Sequence, residues 1–185
     1  VWVGDAGTTE AKGPTRRLGG ELEVRVEVLP WLFADGDVTL TRATFSENPG
    51  NANAVALAPT RAASAGVSVR HPDGYFGRVG VFHLGDRPAT EDRFFTAEGF
   101  TRLDLTAGYR HPWFEVALSA QNLLNAKWRE AQFANVSRLP NENSAESCPA
   151  GTRPAQDGGA FLGCEDLHFT PGAPINVQGT VTLFF

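Results

Sequence analysis

Side chains capable of chemistry are few in this chain of 185 residues, and their spacing limits what they can do. Ser119, His111 and Asp104 supply the residue types of a nucleophile, a base and an orienting carboxylate. Such a set works by geometry, each group within hydrogen-bond reach of the next. The local patterns put these three on different strands with nothing to converge them, so no catalytic residue and no enzyme is expected. Cys164, Glu165, Asp166 and His168 form a dense polar group with ligand types that suit zinc. Ordinary loop solvation accounts for it, and no metal or other cofactor is expected. Asp35 and Asp37 flank a glycine in the manner of a calcium loop, without the remaining oxygen ligands in register. Gly158 and Gly159 precede neither a helix nor a lysine and cradle no phosphate. Cys148 and Cys164 lie in a region that reads as loop, which favours a disulfide in an oxidising compartment over free thiols.

The elements that would position these residues are strands. The hydrophobic fraction is 42% and the formal charge is -5, values shared by soluble proteins and by membrane β-barrels, which alternate apolar and polar residues. No stretch approaches the roughly 18 apolar residues of a membrane helix. The acidic balance and the lack of a concentrated basic patch argue against nucleic acid as a partner. Methionine is absent, so Val1 reads as a processed or cut end, and no signal peptide is recognisable.

Organised segments have period two. Over residues 21–28, Leu22, Val24, Val26 and Val28 face one way, and Glu21, Glu23, Arg25 and Glu27 face the other. Residues 38–45, 65–70, 75–84, 101–109, 114–121 and 177–185 read likewise, and residues 1–3 read as the tail of an earlier strand. That makes about eight strands and no convincing helix. Tight turns fall at residues 71–74 and 110–112, and a further one at Leu29 and Pro30 or at residues 34–37. Long connections occupy about residues 5–17, 46–62, 85–100 and 126–173.

Short and long connections alternate, as in outer-membrane barrels with short periplasmic turns and long extracellular loops. Hydrocarbon leaves backbone polar groups unsatisfied, so strands that cross it close into a sheet with one apolar face. Glu21, Glu23, Arg25 and Glu27 then face the lumen, where they meet a plug or polar cargo, or only water and each other. The fold class predicted is all-β, an antiparallel transmembrane β-barrel segment. Aromatic residues near strand ends, including Trp31, Trp113, Trp128, Phe184 and Phe185, suit membrane interfaces.

The last third of the chain resembles the end of TonB-dependent outer-membrane receptors. The residues that carry it are F-E-V-A-L-S-A-Q-N-L-L-N at 114–125, leading into K-W-R-E at 127–130, and F-T-P-G-A-P-I at 169–175 before the strand ending in Phe185. G-E-L-E at 20–23 and G-D-R-P at 85–88 resemble preceding strands and loops of the same family. The resemblance implies a 22-stranded barrel of which this is the C-terminal portion, with a lumenal plug. It also implies a TonB-contacting segment, neither plug nor TonB segment being recognisable in these residues. Energy would come from TonB–ExbB–ExbD through the missing N-terminal part. The cargo would be a scarce nutrient of the siderophore, haem, cobalamin or glycan type. Val177, Val181, Leu183 and Phe185 resemble the signal read by the barrel-assembly machinery, and Phe185 also suits an interface anchor. The expected place is the outer membrane of a Gram-negative cell, in contact with its lipid, with long loops and the disulfide outside. A small self-contained barrel with a structural or passive pore role, or a soluble β-rich binding module, are the alternatives.

Overall fold

In the computed structural model the described residues are 13–47 and 52–185, together with a short backbone pairing of Trp2–Val3 with Thr8–Thr9. Six long strands follow one another: β1 (Thr15–Leu29), β2 (Leu32–Phe45), β3 (Arg61–Arg70), β4 (Tyr75–Leu84), β5 (Phe100–His111) and β6 (Phe114–Gln121). A long excursion carries β7 (Arg129–Ser137), β8 (Arg153–Asp157) and β9 (Ala160–Pro171) before β10 (Asn176–Leu183) returns. The six strands and β10 make one antiparallel sheet in the order β10-β6-β5-β4-β3-β2-β1. β7, β9 and β8 form a separate three-stranded sheet. Among the described residues no helix is long and apolar enough to cross a membrane, which says nothing of crossing by strands.

The period-two patterns come into register across the whole large sheet. One row runs Arg25, Asp35, Gly66, Gly80, Asp104. The rows beside it on that face are Glu23, Asp37, Ser64, Phe82, Arg102 and Glu27, Phe33, Ser68, Arg78, Thr106, Ser119, Gln178. The opposite face is apolar, as in the row Leu32, Val69, Gly77, Ala107, Leu118, Gly179. A one-residue slip in any strand would move its charges to that face, so the pattern fixes the register. From Leu103 to Tyr109 the apolar stretch is six steps, roughly 20 Å at about 3.3 Å per residue. From Leu32 to Leu40 it is eight, roughly 26 Å. At a strand tilt of about 40° these lengths rise roughly 15–20 Å, which fits within the roughly 25 Å apolar band of a membrane barrel. Among the described residues most of this face is uncovered: Leu22 is 61% exposed, Val181 67% and Leu183 62%. The small buried core lies elsewhere, where Ala89, Phe95 and Ala97 pack with Leu57, Ala134 and Leu167.

The short turns cluster at one end. β1 and β2 turn at Pro30 and Trp31, leaving residues 34–37 inside β2. The 71–74 turn closes with Gly74 at φ +96, its N–H donating to the His71 carbonyl at 3.0 Å. Rings gather at this end: Trp31 against His71 at 5.4 Å, Tyr75 against Tyr109 at 5.0 Å, and His111 stacked on Phe114.

Boundaries depart from expectation at the far end. β1 begins at Thr15, inside a segment read as loop, because Arg16 and Arg17 break the apolar alternation where the strand leaves the band. Residues 126–173, read as loop throughout, hold the three-stranded sheet, whose strands carry bulges that interrupt their period. Residues 1–3, read as the tail of a strand, contribute Trp2–Val3 to the short pairing with Thr8–Thr9, and Val1 lies outside the described residues.

Candidate functional site

The polar face of the large sheet is a wall of paired charges. Asp35 on β2 takes both nitrogens of Arg78 on β4, Oδ1 from Nη1 and Oδ2 from Nη2, each at 2.6 Å. Arg78 Nη1 also donates to Ser68 Oγ on the intervening β3 at 2.8 Å. The guanidinium crosses β3 because Gly66 offers no side chain; a Cβ there would lie 2.7 Å from Arg78 Cζ. Phe76 likewise lies over Gly108, where a Cβ would come 2.8 Å from Phe76 Cε1. Glycine within a strand thus marks close approach by a neighbour. Nearby, Ser64 donates to Asp37, Arg102 pairs with Asp104 at 3.0 Å, and Arg110 pairs with Glu115. Glu21, Glu23, Arg25 and Glu27 stand on this same face of β1, with Arg25 lying 5.8 Å from the Phe33 ring centroid.

The other chemistry-bearing residues do not converge on a reaction centre. Ser119 sits on the polar face 3.4 Å from Thr106 Oγ1, Asp104 is engaged by Arg102 and by the Asn122 N–H, and His111 belongs to the opposite face. Cys164 is joined to Cys148 by a disulfide, Glu165 holds Arg153, and His168 stacks on Phe133. Among the described residues no group of three or more His, Cys, Asp or Glu side chains could hold a metal ion. Asp35 and Asp37, side by side with a glycine between, belong to the wall and not to a calcium loop. Gly158 and Gly159 have φ +54 and +85 and make the two-residue turn between β8 and β9, where two positive φ values are required.

Asn122 and Arg153 fasten the long excursion to the sheet. Asn122, buried at φ +53, accepts from the Ala126 N–H at 2.9 Å and donates to the carbonyls of Ala126 and Ala173 at 2.9 and 3.1 Å. One side chain therefore ties both ends of the excursion where β6 ends and β10 begins. Asn125 Oδ1 accepts from Ile175 N–H, and Trp128 Nε1 donates to the Ala173 carbonyl at 2.9 Å. Beyond this collar, Gln132 reproduces a strand pairing with its amide, accepting from Glu98 N–H and donating to the Glu98 carbonyl.

Arg153 on β8 reaches between two loops. It pairs with Glu165 and Asp92 and lies 5.0 Å from the Phe94 ring centroid. Asp92 is held at about 2, chiefly by the Thr90 hydroxyl, against an opposing effect of burial and with help from Arg153 and the Phe94 N–H. For Arg153, burial disfavours the charge, and the bonds to Asp92 and Glu165 outweigh it and raise its pKa. Thr90, Asp92, Ala134, Arg153 and Glu165 line an open cavity of about 420 Å³. Of this assembly the spacing singled out only Glu165, within the polar group at 164–168, and not its partners, because 61 positions separate Asp92 from Arg153. The one signal present was Asn122 and Asn125 in N-L-L-N, since asparagine tolerates positive φ.

The comparisons place this arrangement among known proteins. No curated protein matches. Among solved structures, the ferric yersiniabactin uptake receptor FyuA from Yersinia pestis is 16% identical with a TM-score of 0.59, covering 92% of this chain and 24% of that one. The ferric-catecholate import receptor Fiu from K12 E. coli is 17% identical with a TM-score of 0.61, covering 96% and 22%. The copper transporter OprC is 16% identical with a TM-score of 0.61, covering 90% and 24%. At these identities the likeness shows the fold, and the chain spans about a quarter of each structure's length. Residues 3–123 match the family described as TonB dependent receptor-like, beta-barrel. The sheet is thus an unclosed piece of such a barrel, from a family of receptors and not of enzymes, and the chain belongs to the TonB-dependent receptor β-barrel family.

Proposed function

We propose that this chain is the C-terminal part of the wall of an outer-membrane importer driven by TonB–ExbB–ExbD. The observation that carries the reading is the division of the large sheet into an uncovered apolar face and a face of paired charges. Only the first can meet hydrocarbon; charges such as those of Glu21, Glu23, Arg25 and Glu27 belong toward a lumen, a plug or a polar cargo. The end bearing the short turns and the ring cluster is then periplasmic, and the three-stranded sheet with its disulfide is extracellular. The strand β10 bonds to β6 on one edge and has no described partner on the other. An amphipathic edge of this kind suits capture by the barrel-assembly machinery, with Val177, Val181, Leu183 and Phe185 as the recognised side chains. The cargo class is a scarce nutrient of the siderophore, haem, cobalamin or glycan type.

Uptake by the whole receptor tests this. Cells carrying it should accumulate one labelled cargo from these four classes, and deletion of TonB should abolish that uptake. Equal accumulation with and without TonB would contradict the driven-import reading.

A further inference from the structure

Aspartate is followed by glycine at three places in the chain: Asp35–Gly36, Asp73–Gly74 and Asp157–Gly158. Such a pair carries a latent reaction, because glycine has no side chain to keep its amide nitrogen away from the preceding carboxyl carbon. The reaction needs a nitrogen and a carboxyl group without partners, and a backbone able to turn. The fold denies these conditions to two of the pairs and leaves them to the third.

At Asp35 both carboxylate oxygens accept from Arg78, at 2.6 Å each, and Gly36 lies within β2, paired with Val24 and with Ala65. At Asp73, Oδ2 lies 3.4 Å from His71 Nδ1, and the Gly74 N–H donates to the His71 carbonyl at 3.0 Å. Asp157 differs from both. Its carboxylate is exposed, and among the described residues neither it nor the Gly158 N–H has a hydrogen-bond partner. The space about Gly158 and Gly159 is open, with nothing within 4 Å of where a Cβ would stand. Two successive glycines also turn more readily than any other pair of residues. Between this turn and the bulge at Ala155 and Gln156, β8 and β9 are joined by two pairs, Gln156 with Phe161 and Asp157 with Ala160. Opening such an exposed tip costs little beside opening the middle of a sheet.

We propose that Asp157 is a site of spontaneous isomerisation in the folded protein, by way of a succinimide closed with Gly158. The Gly158 nitrogen gives up its proton and bonds to Asp157 Cγ, and a water molecule leaves. Water then adds to the backbone carbonyl carbon of residue 157 and breaks its bond to the Gly158 nitrogen. The chain now runs through Cβ and Cγ of residue 157, and the former backbone carbonyl is a carboxylate. The water lost in closing is regained in opening, so the step needs no oxidant, reductant or cofactor and leaves the charge unchanged. The extra backbone atom puts residue 157 out of step with Ala160 and removes the pair that closes the β8–β9 hairpin.

The test ages the whole receptor in detergent, warmed at neutral pH for several weeks, and digests it. Electron-driven fragmentation in a mass spectrometer then tells isoaspartate from aspartate at each site. Isoaspartate should build up at 157 at least about fivefold faster than at 73, where a hydrogen bond must first break, and slowest at 35. In denaturant the three rates should converge. Hydrogen exchange over residues 156–161 should rise with age in the wild type and stay level in Asp157→Glu, whose longer side chain closes the larger ring far more slowly. Equal rates at the three sites of the folded receptor, or a lead at 73, would overturn the proposal. An undiminished lead of 157 in denaturant would also overturn it, since the order would then owe nothing to the fold.

Discussion

Asp35 and Arg78, 43 positions apart, meet in a two-point ion pair that spans three strands, with Gly66 of the middle strand leaving the space between them. Each side chain is partly exposed, so the pair itself contributes modestly, on the order of 0.2–1 kcal/mol. Its structural information is larger, because both ends are satisfied in only one register of β2, β3 and β4.

That dependence gives a double-mutant test. Valine favours a strand, yet at Gly66 it displaces the Arg78 guanidinium. Gly66→Val should therefore destabilise the wild-type barrel by about 1 kcal/mol and be neutral or stabilising in an Arg78→Ala background. Denaturant midpoints of the four proteins in detergent measure the coupling.

The collar at Asn122 should be less forgiving. Asn122→Ala removes three hydrogen bonds to the ends of the excursion, leaving the half-buried Ala126 N–H and carbonyl without this partner and the Ala173 carbonyl with Trp128 Nε1 alone. The expected loss is about 2–4 kcal/mol. Asn122→Asp keeps the acceptor for Ala126 N–H and loses both donations, so it should fall between. Protease cutting within residues 126–173 should accelerate in the same order.

Much of this was legible in the sequence, and the parts that were not have physical reasons. Strands β5 and β6 follow from alternation alone, because most of each lies within the apolar band. The start of β1 was hidden because above the band both faces are polar and period two carries no signal. The three-stranded sheet was hidden because bulges break its period between Arg129 and Ala131 and again between Ala155 and Gln156. Pairs such as Asp35 with Arg78 and Asp92 with Arg153 depend on register and loop closure, which no local pattern encodes. Gly66 and Gly80, within otherwise regular strands, were the traces that Arg78 left in the sequence.

The Cys148–Cys164 disulfide closes a segment of 16 positions that holds β8 and the turn at Gly158 and Gly159, and it anchors the short turn at Ala145–Ser147 that precedes it. On a chain-entropy account its contribution is about 3 kcal/mol. Cys148→Ser with Cys164→Ser should raise hydrogen exchange in residues 139–152 and around Pro154, while β4 and β5 remain protected.

The contact of Asp92 with Arg153 should tolerate acid. The folded carboxyl titrates at about 2, below its ordinary 3.8. A depressed carboxylate pKa adds stability that is fully present above the unfolded value and is lost as pH falls through the folded one. Protection of the loop around Asp92 should thus hold at pH 5 and decline only between about pH 4 and 2. In Asp92→Asn that step should vanish. Native-state hydrogen exchange over this range measures it.

The most direct test of the membrane-wall account is a spin-label scan over β6 in the whole receptor, in lipid, in a Cys148→Ser, Cys164→Ser background. Labels at 116 and 118 should be reached by oxygen dissolved in the bilayer, and labels at 115, 117 and 119 by a water-soluble nickel complex. Accessibility with period two in that phase is the result predicted. Uniform access to the nickel complex, or alternation in the opposite phase, would contradict the assignment of the apolar face to lipid.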